Sequence, residues 1–205
     1  MFTGLVQKRG RLLSNCETDS GLRLVISCSE WSKPIEIGES ICISGCCLSV
    51  VENVCKNGKN NISFDVIPET LACTYLSELH KDAECNVERS MRADDLVGGH
   101  FVLGHVDACE KVLTVAPEGS DGVRLRMSMD VIDRDTIVNK GSVAIDGVSL
   151  TISSVSDAHF EVALLPFTLA QTTLGRLVEG DRVHVESDML GKSIVTVTTH
   201  LHKKK

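Results

Sequence analysis

The chain repeats itself at about half its length, and this constrains its fold more than any other feature. Residues 39–51, ESICISGCCLSVV, align without a gap on residues 141–153, GSVAIDGVSLTIS, pairing Ser40 with Ser142, Gly45 with Gly147, Cys47 with Ser149 and Ser49 with Thr151. The two glycines lie 147 − 45 = 102 residues apart in a chain of 205. Three further blocks recur in the same order: FTGLV (2–6) with VLGHV (102–106), ISFDVIPETLACTYLSEL (62–79) with HFEVALLPFTLAQTTLGRL (159–177), and CNVERSM (85–91) with VHVESDM (183–189). Length alone leaves one large domain or two smaller ones open. Ordered recurrence with small indels marks a duplication, and a copy of roughly 100 residues can bury its own core.

Within each copy the apolar residues recur mostly with period two, in short segments. The first copy has RLVISCS, SICISGCCLSVVENV, NISFDVI and ECNVER; the second has VRLRMSM, SVAIDGVSLTISSV, HFEVALL and RVHVES. Asn57 and Gly58 suit a tight turn between antiparallel strands. Short helices are predicted over PETLACTYLSEL, PFTLAQTTLGRL and DVIDRDTIVN, the first two opening on Pro68 and Pro166. About six strands and one or two short helices per copy predict a mainly β chain of two tandem six-stranded barrels, since closure removes exposed edges. The expected domains are 1–95 and 96–188, with 189–205 as a C-terminal segment that could be helical.

A formal net charge of −7, with no basic stripe, argues against a nucleic-acid partner. The terminal Lys203–Lys205 run reads as a solvated tail. No stretch approaches the roughly 18 apolar residues of a membrane span, and MFTGLVQKRG lacks the apolar core of a signal peptide, so a cytoplasmic protein is expected. Nine cysteines, an odd number without a secretory segment or any C-x-x-C pair, read as reduced thiols rather than disulfides or zinc ligands. Cys46 and Cys47 are neighbours on a strand and point to opposite faces.

MFTG at the N-terminus, GCCLSV, IPETL, NVER, GGHFVLGHV, IDGVSLTI, TTLG and ESDMLGK together resemble the riboflavin synthase family, across residues 1 to about 192. The resemblance implies tandem barrels that each bind one 6,7-dimethyl-8-ribityllumazine, with an active site where the N-terminal barrel of one subunit faces the C-terminal barrel of a neighbour in a homotrimer. It implies transfer of a four-carbon unit between two lumazines, giving riboflavin and 5-amino-6-(D-ribitylamino)uracil, without an external cofactor or metal. A lumazine synthase capsid is a further implied partner. The alternative within the same fold is a lumazine- or flavin-binding antenna protein without catalysis.

Carried over residue by residue, the resemblance makes Cys47 a nucleophile or proton carrier, useful because a thiolate is reactive and its population tunable. It makes His105 an acid–base group, imidazole being able to exchange protons near neutral pH, alongside Thr151. Ser149, Ser40, Asp188 and Phe2 complete the implied catalytic set, and His100 is a secondary candidate that supports the entry turn. Substrate contacts are implied for Gly4, Leu5, Val6, Leu48, Ser49, Gly104, Val106, Lys140, Asp146 and Leu150. Two rims complete them: Asp65, Val66, Ile67, Pro68, Glu69 and Thr70 in the first copy, and Leu165, Pro166, Phe167 and Thr168 in the second. Three departures from the family pattern stand out: Ser49 in place of the usual Thr, Phe167 in place of an acid, and a short tail rich in β-branched residues. The GKS at 191–193 is a post-strand turn on this reading, since Glu186 occupies the position where a phosphate-binding loop needs glycine.

Overall fold

The computed structural model describes residues 1–202; Lys203–Lys205, the expected solvated tail, lie outside the described residues. In the first copy β1 (Lys8–Thr18), β2 (Gly21–Ser29), β3 (Ser40–Ile43), β4 (Cys46–Lys56), β5 (Lys59–Val66) and β6 (Glu84–Arg89) close in the order β1-β2-β5-β4-β3-β6. In the second, β7 (Ala108–Glu118), β8 (Gly122–Ser128), β9 (Ser142–Ile145), β10 (Val148–Val155), β11 (His159–Leu164) and β12 (Arg182–Ser187) close as β7-β8-β11-β10-β9-β12. The two barrels therefore share one antiparallel topology.

Alternation fills each interior: along β2, Leu22, Leu24, Ile26 and Cys28 are buried while Arg23 is exposed. Phe64, Ile62 and Val87 close the first core, and Phe160, Val162 and Val183 the second. The duplication extends to the bulges. Leu13 and Leu113 each fall out of register, as do Val51 and Ser153, bending equivalent strands at equivalent places. These bulges and a largely exposed far end explain why β1 and β7 escape the period-two pattern.

The helices are shorter than predicted. PETLACTYLSEL yields α1 (Pro68–Cys73) and a 3-10 turn over Leu76–Glu78. The helix stops at extended Thr74, whose hydroxyl donates to the Thr70 carbonyl at 2.7 Å. PFTLAQTTLGRL likewise yields α2 (Pro166–Gln171) and a turn over Thr173–Arg176, with Thr172 in the same role. The helix expected over 130–139 is only a 3-10 turn, Arg134–Thr136. There the buried Glu110 carboxylate takes the N–H groups of Asp130, Val131 and Ile132, and the many β-branched residues disfavour a longer helix. The tail does form a helix, α3 (Met189–His202), in which Ser193, Thr196 and Thr198 donate to carbonyls four residues back. It opens on Asp188, whose side chain accepts from Leu190 N.

The barrels meet about an approximate twofold axis. Phe2 and Val102 exchange backbone hydrogen bonds of 2.7 and 3.1 Å there, and their side chains pack with Cys42 and Ala144. Flanking the axis, Asn86 on β6 and His184 on β12 play matching parts. Asn86 Nδ2 donates to Asp146 O (2.9 Å) and its Oδ1 accepts from Thr173 N (2.9 Å). His184 Nδ1 donates to Ser44 O (2.6 Å) and its Nε2 accepts from Tyr75 N (3.0 Å). Only a neutral imidazole can serve as donor and acceptor at once. The ring also stacks on Tyr75 at 3.8 Å between centroids.

Candidate active site

The segment ahead of each barrel crosses onto the other barrel. In the first arm, the Gly4 carbonyl accepts from Ser149 N at 2.8 Å, and Val6 packs on the second core. In the second arm, the Gly104 carbonyl accepts from Cys47 N at 2.8 Å, and Val106 packs on the first core. Both glycines have positive φ (76° and 78°), and a Cβ on either would meet Ser149 Cβ at 2.5 Å or Cys47 Cβ at 2.6 Å. Only glycine permits so close a crossing.

Each arm is held from below by a buried glutamate. Glu88 accepts from Thr3 N (2.8 Å), Thr3 Oγ1 (2.8 Å) and Gly4 N (3.1 Å). Glu186, its counterpart on β12, accepts from Leu103 N (2.7 Å) and Gly104 N (2.9 Å). Burial pushes both carboxyl groups up, Glu186 to about 7, against the pull of the backbone N–H groups. Neither was singled out from sequence. The signal was there as the acid shared by CNVERSM and VHVESDM.

Where the second arm crosses the first barrel the structure gathers Cys47, Gly104, His105 and Val106, with Ser40 and Ser49 further along β3 and β4. Ser40 and Ser49 are paired across β3 and β4. Cys47 is half-buried beside Phe2, which is fully buried. Cys46 faces inward, and burial pushes its thiol up to about 12, leaving it a neutral core group. His105 is exposed between two residues pinned to the first barrel. Leu48 and Val66 lie in the core beneath. Of the first rim, Ile67, Pro68 and Glu69 are exposed and Thr70 is half-buried. Asp65 is engaged with Arg23 at 2.7 and 2.8 Å.

Where the first arm crosses the second barrel the structure gathers Ser149, Leu150 and Thr151 with Gly4, Leu5 and Val6, and of these Thr151 and Leu5 are exposed. His100 sits closer to this chemistry than its secondary role suggests: its Nδ1 lies 2.7 Å from Ser149 Oγ, and its Nε2 is buried without a protein partner. Burial lowers its proton affinity and the nearby Asp188 charge opposes that. Asp188, one of the implied catalytic residues, thus lies near His100 and caps α3. On the second rim Leu165 and Phe167 are 70% and 76% exposed, an apolar edge turned outward beside Pro166 and Thr168. Lys140 is exposed in a turn at positive φ. Asp146 is engaged between the barrels: its carboxylate, pushed up to about 7 by burial, accepts from Tyr75 Oη and His184 N. All nine cysteines are free, and no cluster among the described residues has the make-up of a metal site. No helix among them is long and apolar enough to cross a membrane.

Residues 3–90 and 103–188 each match the family model described as Lumazine binding domain. The chain is 36% identical over 192 residues to the riboflavin synthase of Bacillus subtilis, covering 94% of this chain and 87% of that one. It is 37% identical over 193 residues to that of Chlamydia pneumoniae, covering 94% and 92%. In structure it is similar to LumP complexed with riboflavin, with a TM-score of 0.75, 26% identity, and 91% and 99% of the two chains covered. Its fold also matches LumP complexed with 6,7-dimethyl-8-(1'-D-ribityl) lumazine, at a TM-score of 0.75 and 23% identity, covering 91% and 99%.

Proposed function

The chain belongs to the riboflavin synthase family of enzymes, and from that membership we propose that it converts two molecules of 6,7-dimethyl-8-ribityllumazine to riboflavin and 5-amino-6-(D-ribitylamino)uracil. One lumazine lies in each barrel, against the motif and under the arm that crosses onto it. The observation that carries this reading is the inequality of two matched motifs: a thiol, Cys47, beside Gly104 and His105, and a hydroxyl, Ser149, bonded to His100. A reaction in which one copy of a substrate donates carbon and the other accepts it needs two similar cradles with different chemistry.

In this reading His105, with Thr151 presented by the second barrel of a neighbouring subunit, takes the proton from the 7-methyl group, and the electron-poor ring system of the lumazine holds the resulting carbanion. Cys47 serves as nucleophile or proton carrier at its own pocket. Ser149 and His100 orient the second molecule, since positioning two reactants in one site removes much of the entropic barrier to their meeting. The exposed His105 ring and the outward Leu165 and Phe167 fit a site completed by a neighbouring subunit. A trimer is further supported by α3, where Leu190, Ile194, Val197 and Leu201 form an exposed apolar stripe spaced four, three and four residues apart.

The test is incubation of the purified protein with 6,7-dimethyl-8-ribityllumazine while riboflavin absorbance is followed, with sedimentation equilibrium giving the mass of the active species. Riboflavin formation by a species of three chains is expected. Tight lumazine binding with no riboflavin would instead identify a non-catalytic binding protein, a reading supported by the likeness to LumP complexed with riboflavin.

A further inference from the structure

The two buried glutamates under the arms are unexplained by the pockets themselves, since neither belongs to the motifs that line them. They are equivalent residues of the duplicated strands β6 and β12, each only 3% exposed. Each turns its carboxylate on two successive backbone N–H groups of an arm. These N–H groups belong to the arm's bend, at and just before the glycine whose carbonyl binds the pocket motif of the opposite barrel. Gly104 is thereby gripped on both sides: its N–H by Glu186 and its carbonyl by Cys47 N, at 2.9 and 2.8 Å. Gly4 is gripped in the same way by Glu88 and Ser149 N, at 3.1 and 2.8 Å. A carboxylate suits this task because both oxygens accept, and a charged acceptor makes stronger bonds to backbone N–H groups. A carboxamide of the same shape offers one acceptor and turns an N–H onto the other backbone donor.

We propose that Glu186 and Glu88 are positioning residues: Glu186 fixes the arm that carries His105 beside Cys47, and Glu88 fixes the arm that carries Leu5 beside Ser149. For turnover this inference rests on the reaction proposed above, but the clamp itself is readable without it. Glu186 acts on the chemistry only through the residue it places. Its loss therefore costs activity when His105 is present and little when His105 is absent.

The test compares the full-length protein with Glu186→Gln, Glu88→Gln and Glu186→Asp, the first also in a His105→Ala background. Glu186→Gln is expected to lower kcat about tenfold or more while KM changes less than about threefold, an effect on the reacting geometry rather than on substrate binding. In the His105→Ala background the same change should cost less than about twofold, because coupled residues are non-additive. Glu186→Asp, which keeps the charge one methylene further back, should recover part of the loss and carries the test if the glutamine variant folds poorly. Amide hydrogen exchange at residues 103–105 should quicken at least about tenfold in Glu186→Gln and stay unchanged in Glu88→Gln, with the reverse at residues 3–5. Equal losses with and without His105, or unchanged exchange at 103–105, would overturn the proposal. A wild-type protein that makes no riboflavin defeats the proposed reaction alone, and the exchange pattern still decides the clamp.

Discussion

The two arm crossings are two versions of one frame. Both have a glycine arm from the opposite half, a carbonyl bound to the central motif residue, a buried glutamate under the bend and a valine entering the core. They differ in the groups able to carry protons. The crossing on the first barrel has the Cys47 thiol and an arm tipped by His105, whereas that on the second has the Ser149 hydroxyl bonded to His100 and an arm tipped by Leu5. Backbone geometry has stayed equal while side-chain chemistry has diverged. On the proposed function the shared frame holds a ligand, and the unequal atoms decide what happens to it.

The largest expected break of this comparison is at the arm tips. His105→Ala should lower kcat for riboflavin formation by about 10²–10⁴, the range for a lost acid–base group, while Leu5→Ala should stay within a few-fold. Steady-state rates of the two variants decide it, and equal losses would mean that the tips are not specialised. A second contrast, between Asn86 and His184, reads out in stability. Burial holds His184 down to about 4, below its ordinary 6.5, so the folded state favours the neutral ring. That contribution is complete above pH 6.5 and is lost as pH falls towards 4, by about 3 kcal/mol in total. His184→Asn copies the matching residue and should remove this acid sensitivity. Chemical denaturation of both proteins at pH 7 and pH 4.5 measures the difference, and parallel curves would show that the ring is not the titrating group. The smallest effect is expected at the motif itself. Cys47→Ser should cost about tenfold in kcat, and Ser149→Ala only the net worth of a hydrogen bond, about 1 kcal/mol, mainly in KM. Identical kinetic profiles would contradict the division of roles.

Much of the frame was legible in the sequence because duplication writes every strand twice. The barrels follow from period two and the need to close, and the arms were visible as FTGLV and VLGHV. That the arms cross over was not, since nothing local distinguishes a strand pairing with its own barrel from one pairing with its neighbour. Glu88 and Glu186 stood in plain view as ordinary strand acids, with partners more than 80 residues away. His100 looked like part of a turn until the fold brought it to Ser149. Asp65 and Asp146 show a related limit: the resemblance makes them substrate contacts, while their partners in the fold, Arg23 for one and Tyr75 Oη and His184 N for the other, are invisible in the sequence. The predicted helix over 130–139 shrank to a 3-10 turn in a stretch whose many β-branched residues weaken helix formation.

The crossing of the arms bears on concentration. Two separate halves would have to find each other in solution before either pocket gained its roof, and dilution would strip both. Residues 90–101 tether them, and short flexible tethers hold their ends at effective concentrations on the order of millimolar. Placing each arm on the opposite barrel is thus a unimolecular event, independent of how much protein is present, whereas the docking of a neighbouring subunit is not. A cut in that tether would leave every contact available but make roofing of the pockets dose-dependent.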